Sequence, residues 1–133
     1  MAENSLKSEA FKLIARSKEN LEEMNRLLEY DLYFGAVNRG YYALFHAISA
    51  LVLFLDGKEF SSHKALISYF GKYYAKTGNV PKRYHSILIS AFNIRQRADY
   101  DYDAIVSKEQ AIELAEDANE ILEYVMKRMT KNS

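Results

Sequence analysis

Apolar residues recur at threes and fours along almost the whole chain, which is the period of helices buried on one face. Leu6, Ala10, Leu13, Leu21, Met24 and Leu28 set the first stripe and predict a helix over about 5–30. A second helix is expected from 31 or 32 to 55, with Asp31 as N-cap and Asp56-Gly57 as its stop. Ala65, Leu66, Tyr69, Phe70 and Tyr73 predict a third over 62–76, stopped by Thr77-Gly78-Asn79. Pro81 opens a fourth, which runs to about 98 on Tyr84, Ile87, Leu88, Ala91 and Phe92. Ser107-Lys108-Glu109-Gln110 has the form of a capping box. It starts a fifth helix with the seam Ala111, Leu114, Ala115, Ala118, Ile121, Leu122, Val125 and Met129. No segment reads as a strand. The expected fold is all-α: one domain over 1–133, an up-and-down antiparallel bundle of four long helices plus a shorter one.

The second helix breaks its own pattern. Ala36–Leu55 reads AVNRGYYALFHAISALVLFL, yet Asn38, Arg39, Tyr42, His46 and Ser49 interrupt it. At about 100° per residue these five share an arc of roughly 100°. A charged side chain is almost never fully buried unless paired. The stripe must therefore face a polar cleft, a partner surface or buried partners elsewhere in the chain.

Composition narrows the chemistry. Lysine plus arginine equals aspartate plus glutamate at 18 each, which argues against coating nucleic acid by net charge alone. There is no cysteine, so disulfides and thiolate chemistry are excluded. His46, His63 and His85 fall on three different helices without metal-ligand spacing, so neither a metal nor a cofactor is expected. The apolar run Ala43–Leu55 is short of the about 20 residues that span a bilayer. With no signal-like start, the expectation is a cytoplasmic protein without a membrane partner. Tyrosine is abundant, with 11 residues against no tryptophan. Its apolar ring and polar tip suit half-buried clefts.

The fourth helix carries a second anomaly in Ile94–Tyr102, IRQRADYDY. On the helical wheel Arg95 falls near the centre of the apolar face and Arg97 on the solvent side. Asp99 follows Arg95 by four residues, within pairing reach. Two readings stand. Arg39 and Arg95, with neighbouring tyrosines, could grip a phosphate and stack a base. Alternatively, Arg95 with Asp99, and Arg39 with Asp31 or Asp99, would form an internal polar network fixing helix register.

Ala36-Val-Asn-Arg-Gly-Tyr-Tyr-Ala-Leu-Phe-His-Ala47 resembles the second-helix signature of HEPN domains, in the small stand-alone prokaryotic subfamily. Arg95-x-x-Ala98-Asp99-Tyr100 resembles that subfamily's second signature, and Ser62-His63-Lys64 with Phe70-Gly71-Lys72 fits the helix between. The resemblance covers nearly the whole chain. It implies a helical bundle, usually a homodimer, often paired with a minimal nucleotidyltransferase in a toxin–antitoxin-type system. Many relatives are metal-independent endoribonucleases using Arg, four to six residues, then His at the dimer cleft. Some carry a following tyrosine that the partner modifies with AMP.

This chain departs from that motif. Counted from Arg95, Tyr100 stands at the histidine position and Tyr102 at the final tyrosine. Cleavage by 2′-hydroxyl attack wants groups with pKa near 7, as histidine has. Tyrosine starts near 10 and would have to fall by about three pH units. The expected function is a dimeric module that binds a nucleotide or RNA, acts with a minimal nucleotidyltransferase and cleaves weakly or not at all. Asn38, Arg39, Tyr42, Arg95 and Asp99 are its expected phosphate-binding residues, and Tyr102 its modification candidate. The first alternative is an endoribonuclease toxin using Arg95 with His46 or Tyr100. The second is an adaptor bundle with an internal polar network.

Overall fold

The structure is a computed structural model describing residues 2–131. Five α-helices form an up-and-down bundle: α1 (Ala2–Glu29), α2 (Tyr33–Asp56), α3 (His63–Phe70), α4 (Lys82–Tyr100) and α5 (Lys108–Lys131). No strand occurs among the described residues. The most apolar helix, α2, is the central element and packs against all four others. It buries Ala36, Val37, Tyr41, Leu44, Ile48 and Leu51 among others. The α5 seam predicted from spacing is the set of residues that α5 buries, from Ala111 to Met129.

The helix ends follow local chemistry. Gly57 ends α2 in the left-handed conformation (φ 66°), its N–H reaching the Leu53 carbonyl. The Ser62 hydroxyl caps α3 through Ala65 N–H at 3.0 Å. The capping box opens α5 as its sequence implies, with Ser107 and Gln110 exchanging bonds of 3.0 Å each.

Three boundaries differ from the sequence expectation. Asp31 is not the N-cap of α2; that position is Leu32, which lends no side-chain bond. Asp31 instead ends α1 with φ 59°, taking the place glycine usually fills. Leu32 N–H to Leu27 O and Asp31 N–H to Leu28 O complete a Schellman motif. The third helix does not run unbroken to 76. It turns π-helical over Gly71–Ala75. His85 of α4 packs against this segment: its Nε2 bonds the Ile67 carbonyl at 3.0 Å, and a Cβ on residue 71 would stand 2.5 Å from that nitrogen, so the position requires glycine. Lastly, α4 reaches Tyr100, so Asp99 is held within the helix four residues from Arg95.

Candidate functional site

All five residues of the polar stripe on α2 are half-buried, while the residues between them are buried core apart from Phe45. The stripe therefore lies at the floor of a surface groove. Arg16, Glu19, Asn20 and Glu23 of α1 face Arg39, Tyr42 and His46 of α2 across a cleft of about 410 Å³. Its α1 wall is anchored by two polar residues on that helix's apolar face. Ser17 is fully buried and donates to the Ala43 carbonyl at 2.7 Å. Asn20, only 4% exposed, bonds His46 Nδ1 at 2.8 Å through Oδ1 and donates to Glu23 Oε1 at 3.3 Å through Nδ2.

Tyr42 links the two arginines. The Arg39 guanidinium carbon is 5.3 Å from the centre of its ring and that of Arg95 is 5.6 Å away. Such contacts are worth about 0.5–1 kcal/mol each at exposed sites and ~2 when desolvated. The arginines differ in access. Arg39 keeps a third of its side-chain surface open. Arg95 keeps 11% and is caged by Tyr41 at 5.0 Å and Phe92 at 5.6 Å. Its Nη1 meets Asp99 Oδ2 at 3.2 Å, and its buried Nε has no partner in the protein. Enclosure of Arg95 rather than exposed Arg97 is what the wheel predicts.

The expected pairing of Arg39 with Asp31 or Asp99 is not what forms. Arg39 bonds Asn38 Oδ1 through Nε (3.0 Å) and Nη2 (2.6 Å), and reaches Glu23 at 3.5 Å. Asp31 accepts instead from the Tyr33 hydroxyl, and Asp99 belongs to Arg95. With both partners of the Arg39–Glu23 pair partly in water, that contact contributes about 0–1 kcal/mol and yields readily to a competing anion.

Two histidines border the stripe. Burial, with Arg16, Arg39 and His63 adding to it, holds His46 down at a pKa of about 4, against a weaker pull upward from a backbone bond to Tyr42. His63, which opens α3, stacks on Phe45 with ring centres 4.2 Å apart, and its Nδ1 meets the Tyr41 hydroxyl at 2.8 Å. Burial first, then the Arg95 charge, lowers its pKa as well. Both rings are neutral at pH 7. Since the Asn20 amide nitrogen is turned to Glu23, its oxygen accepts from His46 Nδ1–H, which places the His46 lone pair on Nε2.

The structure thus brings Asn38, Arg39, Tyr42, His46, Arg95 and Asp99 together. Tyr100 and Tyr102 stand apart: both are exposed at the end of α4, and neither lines the cleft. The α1 wall escaped the sequence reading, although Ser17 and Asn20 interrupt the stripe of Leu13, Leu21 and Met24 as visibly as Arg39 interrupts α2.

The chain belongs to the HEPN domain family, which it matches over residues 10–129. It is 36% identical over 106 residues to a Methanocaldococcus jannaschii protein named "Putative toxin", covering 78% of this chain and 77% of that one. It is 38% identical over 85 residues to a Thermotoga maritima UPF0332 protein, 64% of each chain. An Archaeoglobus fulgidus UPF0332 protein matches at 27% over 119 residues, 90% of this chain and 94% of its own. Among the described residues, no helix is long and apolar enough to cross a membrane.

Proposed function

We propose that this chain is the HEPN component of a toxin–antitoxin-type pair, a homodimer acting with a minimal nucleotidyltransferase. In this reading it binds a nucleotide or RNA through phosphate and has little or no cleavage activity. The observation that carries the reading is the half-open Arg39 beside Tyr42 and His46, a guanidinium and a ring bordering one cleft. Arg95 supports it from behind, fixing Tyr42 and adding positive potential. The toxin name of similar proteins supports the pairing. Weak catalysis follows from the chemistry. A histidine with a pKa of about 4 holds almost no proton at pH 7 to give a leaving group, and is a feeble base. Sedimentation should report a dimer, and incubation with RNA in EDTA should leave the strand intact. A monomer, or rapid cleavage abolished by Arg95→Ala, would refute this reading.

One observation favours cleavage as a second reading: Asn20 fixes the His46 tautomer as an orienting residue does for a catalytic base. EDTA-resistant cleavage lost in His46→Gln would establish it.

Tyr102, fully exposed just past α4, is the proposed acceptor of AMP. Its phenol oxygen would attack the α-phosphorus of ATP on the partner enzyme and release pyrophosphate. Mass spectrometry after co-expression should find the added AMP on Tyr102 or Tyr100; modification elsewhere excludes the assignment.

A further inference from the structure

The polar cleft adjoins a second pocket at His46, and the two together make a longer groove along α1 and α2. Past His46, the same face of α2 opens into a second pocket of about 200 Å³. Its walls are of the opposite kind: Leu13 from α1, Phe45 and Ser49 from α2, Phe60 from the following loop and Leu66 from α3. Phe45 and Phe60 are half-buried, so their rings line the pocket without filling it, and exposed Lys58 and Glu59 stand at its mouth. His46 lines both compartments. It is held in place by Asn20 Oδ1 at 2.8 Å, and Asn20 itself is almost entirely buried. The groove therefore has a cationic end at Arg39, a hydrogen-bonding junction at His46 with Arg16 beside it, and an aromatic end large enough for one ring system.

Resting on the reading of the polar cleft as a phosphate site, we infer that the whole groove binds a single ribonucleotide unit, its base between Phe45 and Phe60, its sugar over His46 and its phosphate on Arg39. Three features argue for this ligand class over inorganic phosphate or a bare anion. A phosphate alone would leave the apolar pocket wet, although base–aromatic stacking is a gain open to any base. The order of the compartments, anion site, hydrogen-bonding site, ring site, matches the order of groups along a nucleotide. Moreover, His46 Nε2, left as an acceptor by the Asn20 bond, suits a sugar hydroxyl but repels a phosphate oxygen. Glu23, which a phosphate on Arg39 must displace, and Glu19 on the same helix disfavour a second phosphate in the cleft.

The unit could be a free nucleotide or part of an RNA strand. Calorimetric titrations of the full chain with 5′-AMP, ribose 5-phosphate and an unphosphorylated penta-adenylate separate the cases. AMP should bind about tenfold more tightly than ribose 5-phosphate. Ser49→Leu, which places a side chain in the pocket, should bring AMP down to the ribose 5-phosphate level, with an unchanged helical circular dichroism spectrum as control. Displacement of AMP by penta-adenylate assigns the groove to a strand, and its failure to displace assigns the groove to free nucleotides. If wild-type protein binds AMP and ribose 5-phosphate equally, the base pocket is refuted while the phosphate cleft stands. If it binds neither, nor the oligonucleotide, the phosphate cleft itself is refuted. The ligand comparison on wild-type protein decides the question even if Ser49→Leu fails to fold.

Discussion

His46 Nδ1 lies 2.8 Å from the Oδ1 of Asn20, and this bond ties α1 to α2 at the floor of the groove. It fixes the ring in one tautomer, while burial keeps that ring neutral, and the neutrality has a consequence for stability. The folded pKa of His46 is about 4, below the unfolded value of 6.5. Between those values the unfolded chain binds more protons, so stability is full above about pH 6.5 and falls as pH drops toward 4. His63, lowered too, acts in the same direction. Because the cleft is partly open to water, the loss is limited to about 2 kcal/mol. Urea unfolding at pH 7.5 and pH 5.0, where most carboxylates stay ionised, should show that loss. His46→Gln should remove most of it; a variant that keeps the whole pH dependence would place the effect elsewhere.

A second prediction concerns a close approach between helices in the core. Gly40 faces Met24 and Leu114, and a Cβ there would stand 2.8 Å from Met24 Sδ and 2.9 Å from Leu114 Cδ2. Both neighbours are buried, Met24 completely. Gly40→Ala should gain helix propensity yet lose about 1–3 kcal/mol net through overpacking. Chemical denaturation reads this directly, and an unchanged or raised midpoint would show that α1 and α5 can part at no cost.

The third prediction separates attraction from competition in the cleft. Glu23 reaches Arg39 at 3.5 Å and also accepts from Asn20. A bound phosphate must displace that carboxylate. Glu23→Gln keeps the shape and removes the charge, so anion affinity should rise several-fold, most clearly at low salt. Weakened binding would mean that Glu23 positions Arg39 rather than competing for it.

Much of this was legible in the residues. All five helices follow from apolar spacing, and the seam of α5 needed nothing more. The stripe on α2 and the enclosure of Arg95 were readable because arginine at a core position of a wheel has few ways to exist. What stayed hidden depended on contacts between distant segments. Asp31 looks like an N-cap because it precedes a helix, but the backbone there turns left-handed to close α1, leaving its carboxylate to Tyr33. The close approach that requires glycine at position 71 comes from His85, fourteen positions along the chain. The partner of Arg39 proved to be Glu23, on a helix whose charged face gave no sign of which carboxylate would be near. Tyr100 and Tyr102 followed the family motif in order but not into the cleft.

The central claim is that Arg39, not positive charge in general, holds the phosphate. Arg97 offers the matched control: it sits on α4, is exposed and lies outside the cleft. Titrating 5′-AMP into wild-type protein, Arg39→Gln and Arg97→Gln at one salt concentration changes the net charge equally in both variants. The structure predicts that Arg39→Gln weakens binding about tenfold or more, the worth of a charge-assisted contact, while Arg97→Gln stays within twofold of wild type. Equal affinities for the two variants would contradict the account.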